Sequence, residues 1–402
     1  MIETLLDNDL YQFTMSACLF DNGLRDLRVR YEFRNRTFGV PLASRLSLPV
    51  LQMAIEQIRD MRFTPEDVAY LRSLKIFSDE WLAWLPEVRL PDVRVGNDHG
   101  HLTLNYEGKM VEAIFWETIL LAVVNEMYFS RFGDFLSEGK QRLSEKIAYL
   151  QERQTLKFVE FGTRRRFSRE WQHYVTHGLR EEVNVHQLLG TSNVALSQQL
   201  ALPCIGTMAH QMFMVMTALQ RHHTTRRRNY DDPTKAAIDF GTNIVLHMWA
   251  KTYGHHQHMM TVLPDTYGTV SFVRYADKAN VTKYNRFRQD SGDPVKVGEF
   301  LTQYAIAQGM EPRIVFSDGL DVRTMSVIED HFDPEMVSFG WGTNLTNDLG
   351  YEPLSIVIKP SAVLAEDGQT WCPCVKISDD VRKATGEPEA VAAYLEAVKG
   401  TI

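Results

Sequence analysis

The apolar positions of this chain change rhythm a little over a third of the way along. Before about residue 155 the patterns are mixed. Residues 10–19 and 50–61 space apolar side chains three and four apart, which predicts helices with one buried face. Residues 29–33 and 102–106 alternate as half-buried strands do. The run 114–129 is so continuously apolar that it predicts a core helix, and 137–153 reads as a charged amphipathic connector. From about residue 156, short apolar runs end in Gly, Ser, Thr or Asp and helical patterns follow them. These runs fall at 158–161, 185–189, 204–205, 259–263, 284–287, 314–316, 336–339 and 354–358. Roughly eight strand-then-helix units predict a parallel (β/α) barrel. The long interval between 205 and 259 makes it an irregular one. The expected fold class is α/β: an N-terminal α+β domain over residues 1–155 and an irregular (β/α) barrel over 156–353. Segment 354–402 is a candidate to rejoin the first domain and make it discontinuous.

Composition narrows the function. At 402 residues the chain exceeds one small domain, and 44% apolar with 23% charged residues is ordinary for a globular protein. A net charge of -8 argues against a partner such as nucleic acid or an acidic membrane. Any anion site must then be a local arginine cluster. Residues 1–9 hold three acids and no base, unlike a signal peptide, and no apolar run reaches the length of a membrane span. The four cysteines, Cys18, Cys204, Cys372 and Cys374, are too scattered for a disulfide framework, so a reduced, cytoplasmic protein is expected. Cys372-Pro373-Cys374 has no second pair at zinc spacing, and no metal ligands are assigned from it.

In a barrel the chemistry sits on the loops that follow the strands. The first of these is EFGTRRRFSRE at 160–170: an apolar lead-in ends at Gly162, three arginines follow, and Ser168 stands where it can cap a helix. That pattern suits a phosphate or pyrophosphate, although an isolated Arg triplet is more often a solvated basic turn. Next come Gly190-Thr191-Ser192-Asn193, then Gly206-Thr207-Met208-Ala209-His210. A histidine there can be a base, a metal ligand or a nucleophile toward phosphorus. Asp265 follows the next run. The motif Arg288-Gln289-Asp290-Ser291-Gly292 can hold a sugar diol, a phosphate and Mg²⁺ together. Ser317-Asp318-Gly319 and Gly340-Trp341-Gly342-Thr343 occupy the last loops, where barrels commonly bind phosphate through backbone N–H groups. Each signal is weak alone. In series they mark one site.

These motifs resemble the bacterial nicotinate phosphoribosyltransferases, type II phosphoribosyltransferases related to the nicotinamide and quinolinate enzymes. The similarity runs from LLDNDLYQ at 5–12 through the arginine run, GTSN, GTMAH, RQDSGDP at 288–294, FSDGLD at 316–321, SFGWGTNLTND at 338–348 and LSIVIK at 354–359. The resemblance implies a ligase-type reaction: nicotinate and 5-phosphoribosyl-1-pyrophosphate give nicotinate mononucleotide and pyrophosphate, coupled to ATP hydrolysis, in NAD salvage. It implies ATP and Mg²⁺ as cofactors and a homodimer with shared sites. It makes His210 the transiently phosphorylated histidine. It has Asp265 and Asp290 hold the ribose hydroxyls or the metal, and Arg164 and Arg288 meet the pyrophosphate or the nicotinate carboxylate. The loops Ser317, Asp318, Gly319 and Gly340, Gly342, Thr343 would bind the 5-phosphate. Phe161 would stack on the pyridine opposite Tyr11, which the resemblance assigns to the partner subunit. Thr191 and Ser192 would face the base. With no acid in that segment, nicotinate is expected over nicotinamide, and Ser192→Asp is expected to lose nicotinate activity. A phosphoribosyltransferase for nicotinamide or another pyridine base is the alternative. Arg226, Arg227 and Arg228 read as an exposed charged loop. His255, His256 and His258 precede a strand and so lie on the face away from catalysis.

Overall fold

Two sheets organise the chain in a computed structural model that describes residues 1–133, 136–227 and 229–400. The first is antiparallel, built from β1 (Arg28–Asn35), β2 (Val93–Asp98), β3 (His101–Lys109), β10 (Ile356–Leu364) and β11 (Trp371–Pro373), in the order β11-β10-β1-β3-β2. The second is parallel, built from β4 (Phe158–Glu160), β5 (Leu188–Thr191), β6 (Thr261–Val262), β7 (Arg286–Gln289), β8 (Ile314–Phe316) and β9 (Val337–Trp341). Its order is β5-β4-β9-β8-β7-β6, and a parallel bridge from Thr191 to Cys204 extends it past β5. The result is a mixed α/β fold with an N-terminal domain and a C-terminal α/β domain, the parallel strands being short and unequal as an irregular barrel requires.

The eighth apolar run does not join the barrel, and the alternative given for segment 354–402 is the one observed. Residues 356–364 pair antiparallel with β1, from Val29 opposite Val363 to Asn35 opposite Ile356, and not with β9. An apolar run does not say which sheet it will join. The expected strand at 185–189 starts later, because Val185 is exposed and Gln187 turns its amide onto the carbonyls of Leu150 and Arg153. The interval 205–259 is not a loop: His210–Arg227 and Pro233–Tyr253 form two packed helices. Arg226 and Arg227 are exposed on the last turn of the first, and Arg226 lies near His222 and Asp367. Arg228 lies outside the described residues.

The apolar run near 114–129 becomes the helix Trp116–Phe129, buried even at Glu117, Asn125 and Glu126. It packs against β10 on one side and against the turn Thr163–Arg165 on the other. Its polar groups therefore serve partners and not water. The N-terminal segment crosses the ends of the parallel strands. Leu10 N–H donates to Ser192 O at 2.7 Å, Val194 N–H to Asn8 O at 2.9 Å and Ala195 N–H to Leu6 O at 2.9 Å. Gly206 permits this crossing: a Cβ there would lie 3.0 Å from the Leu10 Cβ and 3.1 Å from the Tyr11 nitrogen. Among the described residues, no helix is long and apolar enough to cross a membrane.

Candidate active site

The three arginines of the 160–170 loop have three different fates. Arg166 is fully buried and forked onto Asp7, with Nη1 to Oδ1 at 2.6 Å and Nη2 to Oδ2 at 2.8 Å; its Nε reaches Glu126 at 2.9 Å. It ties the loop to the N-terminal segment. Arg165 lies against the backbone, its Nε and one terminal nitrogen each 3.2 Å from Ile356 O. Burial, then Arg164 and Arg36 nearby, pull its pKa down to about 9. The guanidinium of Arg164 makes no hydrogen bond or contact ion pair among the described residues. Burial disfavours its charge, but Tyr11, Asp290, Glu117 and Asp9 around it raise its pKa overall. Among the described residues, Arg164 is the one of the three with all its donors left for a ligand.

The loop is clipped in place by its neighbours. Phe161 N–H donates to Trp341 O at 2.8 Å, and Thr346 Oγ donates to Gly162 O at 3.2 Å. Gly162 is required by packing, since a Cβ would fall 2.0 Å from Thr346 Oγ1. The Phe161 ring lies across Gly340, where a Cβ would come within 2.5 Å of it, and the Arg288 guanidinium stands 5.5 Å from the ring centroid. Gly342 leaves room for the Phe161 carbonyl, 3.0 Å from where its Cβ would be. Gly340→Ala must push the ring out of place, as overpacking does. We expect a loss of about 1–3 kcal/mol in stability and a raised KM for the aromatic substrate, read by denaturant unfolding and steady-state kinetics.

At the ends of β6 and β7 lies a denser cluster. His210, first residue of its helix, holds Thr266 Oγ1 through Nδ1 at 3.0 Å. Its Nε2 lies 3.2 Å from Asp290 Oδ2, 3.7 Å from Asp265 Oδ1 and 2.7 Å from Lys376 Nζ. Asp290 Oδ1 accepts from Arg288 at 2.9 Å and from Ser317 Oγ at 2.8 Å, while Arg288 Nε donates to Ser317 Oγ at 2.8 Å. Asp265 Oδ2 accepts from Ser291 at 2.7 Å and Ser378 at 3.1 Å; its Oδ1 is buried with no hydrogen-bond partner. Burial, then the Lys376 charge, push the His210 pKa down to about 4 against the pull of Asp265 and Asp290, so the ring is neutral near pH 7. Burial opposes ionisation of Asp290, but Arg288, the His210 contact and Lys376 outweigh it and hold that carboxyl well below its ordinary range.

Other expected residues sit apart from this cluster. Thr191 and Ser192 are buried, and their hydroxyl protons go to Glu160 Oε2 at 2.6 Å and Asp9 Oδ1 at 2.7 Å. The segment without an acid thus faces one supplied by the N-terminal segment. Ser192→Asp would set a second carboxylate against Asp9 and destabilise the fold, so Ser192→Ala is the cleaner test of base selectivity. The Tyr11 hydroxyl lies 3.3 Å from Thr118 Oγ1 and 3.5 Å from Glu117 Oε2 of its own chain. Asp318 is held by Lys383 at 2.6 Å, and Gly319 adopts φ 63° with open space where a Cβ would be. Thr343 opens the turn Thr343–Thr346, which follows Gly342.

Several contributors had little sequence signal. Lys376 is one lysine in an apolar stretch. Lys359 pairs with buried Glu117 at 2.7 Å. Arg36 is half-buried, donates to Lys383 O at 2.9 Å and has no carboxylate at contact distance among the described residues. Asp9 and Lys359 lay within motifs, LLDNDLYQ and LSIVIK.

His210, Asp265 and Asp290 offer ligand atoms within 4.8 Å of one another, the spacing of a metal site. They do not suit a resident Mg²⁺. The Lys376 ammonium already stands 2.7 Å from His210 Nε2 and 3.6 Å from Asp265 Oδ2, and Asp290 Oδ1 already accepts from Arg288 and Ser317.

A neutral histidine, one buried and one partly buried carboxylate and arginines with free donors, gathered at strand ends of a (β/α) domain, define an enzyme site for a phosphorylated substrate. The comparison with known proteins makes this specific. Residues 156–399 match the model of the nicotinate phosphoribosyltransferase (NAPRTase) family, and residues 6–125 match that of its N-terminal domain; the chain belongs to this family. A nicotinate phosphoribosyltransferase from Porphyromonas gingivalis is similar in structure with a TM-score of 0.85 and 28% identity, over 99% of this chain and 100% of that one. One from Vibrio cholerae has a TM-score of 0.81 and 28% identity, over 98% of this chain and 93% of that one.

Proposed function

We propose that the chain joins nicotinate to 5-phosphoribosyl-1-pyrophosphate, releasing pyrophosphate and nicotinate mononucleotide for NAD salvage, with ATP hydrolysis coupled through phosphate carried on His210. The observation that carries the coupling is the buried, neutral imidazole of His210 braced by Thr266 and flanked by Asp290 and Lys376. A neutral ring keeps a lone pair for phosphorus at pH 7, where a free histidine near its ordinary pKa would be partly protonated.

In the coupling step an imidazole nitrogen attacks the γ-phosphorus of ATP. The N–P bond forms, the bridging P–O bond breaks, and ADP leaves. In the transfer step the pyridine nitrogen attacks the anomeric carbon while the C–O bond to pyrophosphate breaks. Positive charge grows on the ribose ring and negative charge on the leaving group. Asp265 supports the first through its unpartnered Oδ1, which is free to accept from a ribose hydroxyl. Arg164 supports the second with its free donors, beside Arg165 and Arg36. Phe161, backed by Gly340 and Arg288, offers a flat face to the pyridine. Water then cleaves the N–P bond and restores the imidazole. Mg²⁺ would be held by the phosphates of the substrates, where it would offset their charge, and the His210 triad would not hold it. The reading includes a homodimer with shared active sites in the cytoplasm; Tyr11 itself lies beside Arg164 of its own chain.

The deciding experiment is to assay nicotinate and nicotinamide with and without ATP while following pyrophosphate release and acid-labile phosphate on the protein. Nicotinate-dependent release that ATP raises, with a label on the protein, is the expected result. Preference for nicotinamide, or a rate indifferent to ATP with no label, would replace this reading.

A further inference from the structure

Lys376 has no place in the reaction as written, yet it touches its central residue. It is 7% exposed, follows β11, and comes from a segment far from His210 in sequence. Its backbone is tied in both directions to Thr385, N–H to O at 2.9 Å each way. The next residues dock on the loop that carries Asp265. Ile377 N–H donates to Thr266 O at 2.8 Å, and Ser378 Oγ to Asp265 Oδ2 at 3.1 Å. The same Thr266 holds His210 Nδ1. One loop therefore sets both the ring and the lysine that meets it, and Lys376 has little freedom to leave.

We propose that Lys376 is the resident cation of the His210–Asp265–Asp290 triad, closing it to divalent metals and orienting the His210 ring for its reaction. The charges make the case. A buried carboxylate, Asp265, and a partly buried one, Asp290, face one imidazole within 4.8 Å. Arg288 balances Asp290 at 2.9 Å, and among the described residues no lysine or arginine but Lys376 lies at contact distance from Asp265. An ammonium can only donate, so its contact at 2.7 Å requires a lone pair on Nε2 and places the ring proton on Nδ1, toward Thr266. Without Lys376 the triad would be two carboxylates and an imidazole with one negative charge unbalanced, which is the donor set of a Mn²⁺ or Mg²⁺ site. Lys376 is a positioning residue. Its effect on phosphoryl transfer rests on the phosphohistidine reading above, whereas its exclusion of metal does not.

The test uses the full-length protein without substrates and titrates Mn²⁺ by electron paramagnetic resonance. The wild type is expected to bind no Mn²⁺ tightly at the triad. Lys376→Met should bind it at least about tenfold more tightly, as removal of a charge at contact distance allows, and Asp265→Asn added to that variant should abolish the gain. Lys376→Arg should behave as wild type. In kinetics, Lys376→Met should lose about tenfold or more of the ATP-dependent increment in kcat, the effect of one lost charge-assisted hydrogen bond, with KM for nicotinate little changed and Lys376→Arg partly restoring it. Tight wild-type Mn²⁺ binding that Asp265→Asn removes would overturn the proposal. So would a Lys376→Met protein that gains no Mn²⁺ affinity, with Lys376→Gln as the second variant should the methionine protein fail to fold. Absence of label on the wild-type protein would sink the phosphohistidine reading alone, and the Mn²⁺ titration would still decide the place of Lys376.

Discussion

Arg166→Met is expected to destabilise the protein by about 3–5 kcal/mol, the usual cost of removing one partner from a buried ion cluster. The side chain is 0% exposed, and every nitrogen of its fork has an acceptor: both Asp7 oxygens, Glu126 and Gln172 at 3.1 Å. The variant leaves two buried carboxylates facing each other across an apolar chain. Asp7 is already subject to burial that opposes its charge; the Arg166 charge and hydrogen bonds hold its pKa below 3.8 in spite of it. Its contribution is present above the unfolded pKa and is lost as pH falls through the folded one. In the variant, Asp7 should therefore take up its proton at higher pH. A drop of roughly 5 °C in the unfolding midpoint follows for a chain of this length, measurable by calorimetry at pH 7. Arg164→Ala, by contrast, should leave the midpoint within about 1 °C, because that guanidinium has no hydrogen bond or contact ion pair to lose among the described residues.

His210→Ala should abolish acid-labile phosphate on the protein and the ATP stimulation, while some ATP-independent nucleotide synthesis survives. The imidazole in this scheme accepts phosphate from ATP and does not attack the ribose. Retention of the label in the variant would place phosphorylation elsewhere. The same substitution has a signature in stability. The folded ring, with its pKa near 4, refuses a proton that the unfolded ring accepts at the ordinary value of 6.5. The wild type should therefore lose stability as pH falls from about 6.5 toward 4, a loss that His210→Ala should reduce. Denaturant titrations at pH 7 and pH 5 on both proteins measure it.

Most of the helices and strands were legible from periodicity, because one buried face imposes a period that survives in any sequence. The order of the site loops was legible too: strand ends carry Gly, Asp, Arg and His where the backbone must turn and meet a ligand. What misled was any feature whose meaning lies in its partner. Residues 356–364 look like a barrel strand, but an apolar strand pairs wherever its register and its neighbours allow, and here that is β1. Thr191 and Ser192 look like open donors, yet Glu160 and Asp9 receive their protons. Lys376 carries no pattern at all.

The arginine run at 160–170 shows the division most clearly. From the sequence alone came the family motifs, the α/β class and a cationic loop at the first strand end. Three identical side chains in a row cannot be told apart by type, since their difference is one of direction. Tertiary structure decided it. The helical turn Thr163–Arg165 and the crossing N-terminal segment send Arg166 into a nest of carboxylates, lay Arg165 on the backbone of β10, and leave Arg164 with unspent donors. A charge becomes scaffold or ligand contact according to whether the fold pairs it, and that pairing comes from residues more than 150 positions away in the chain.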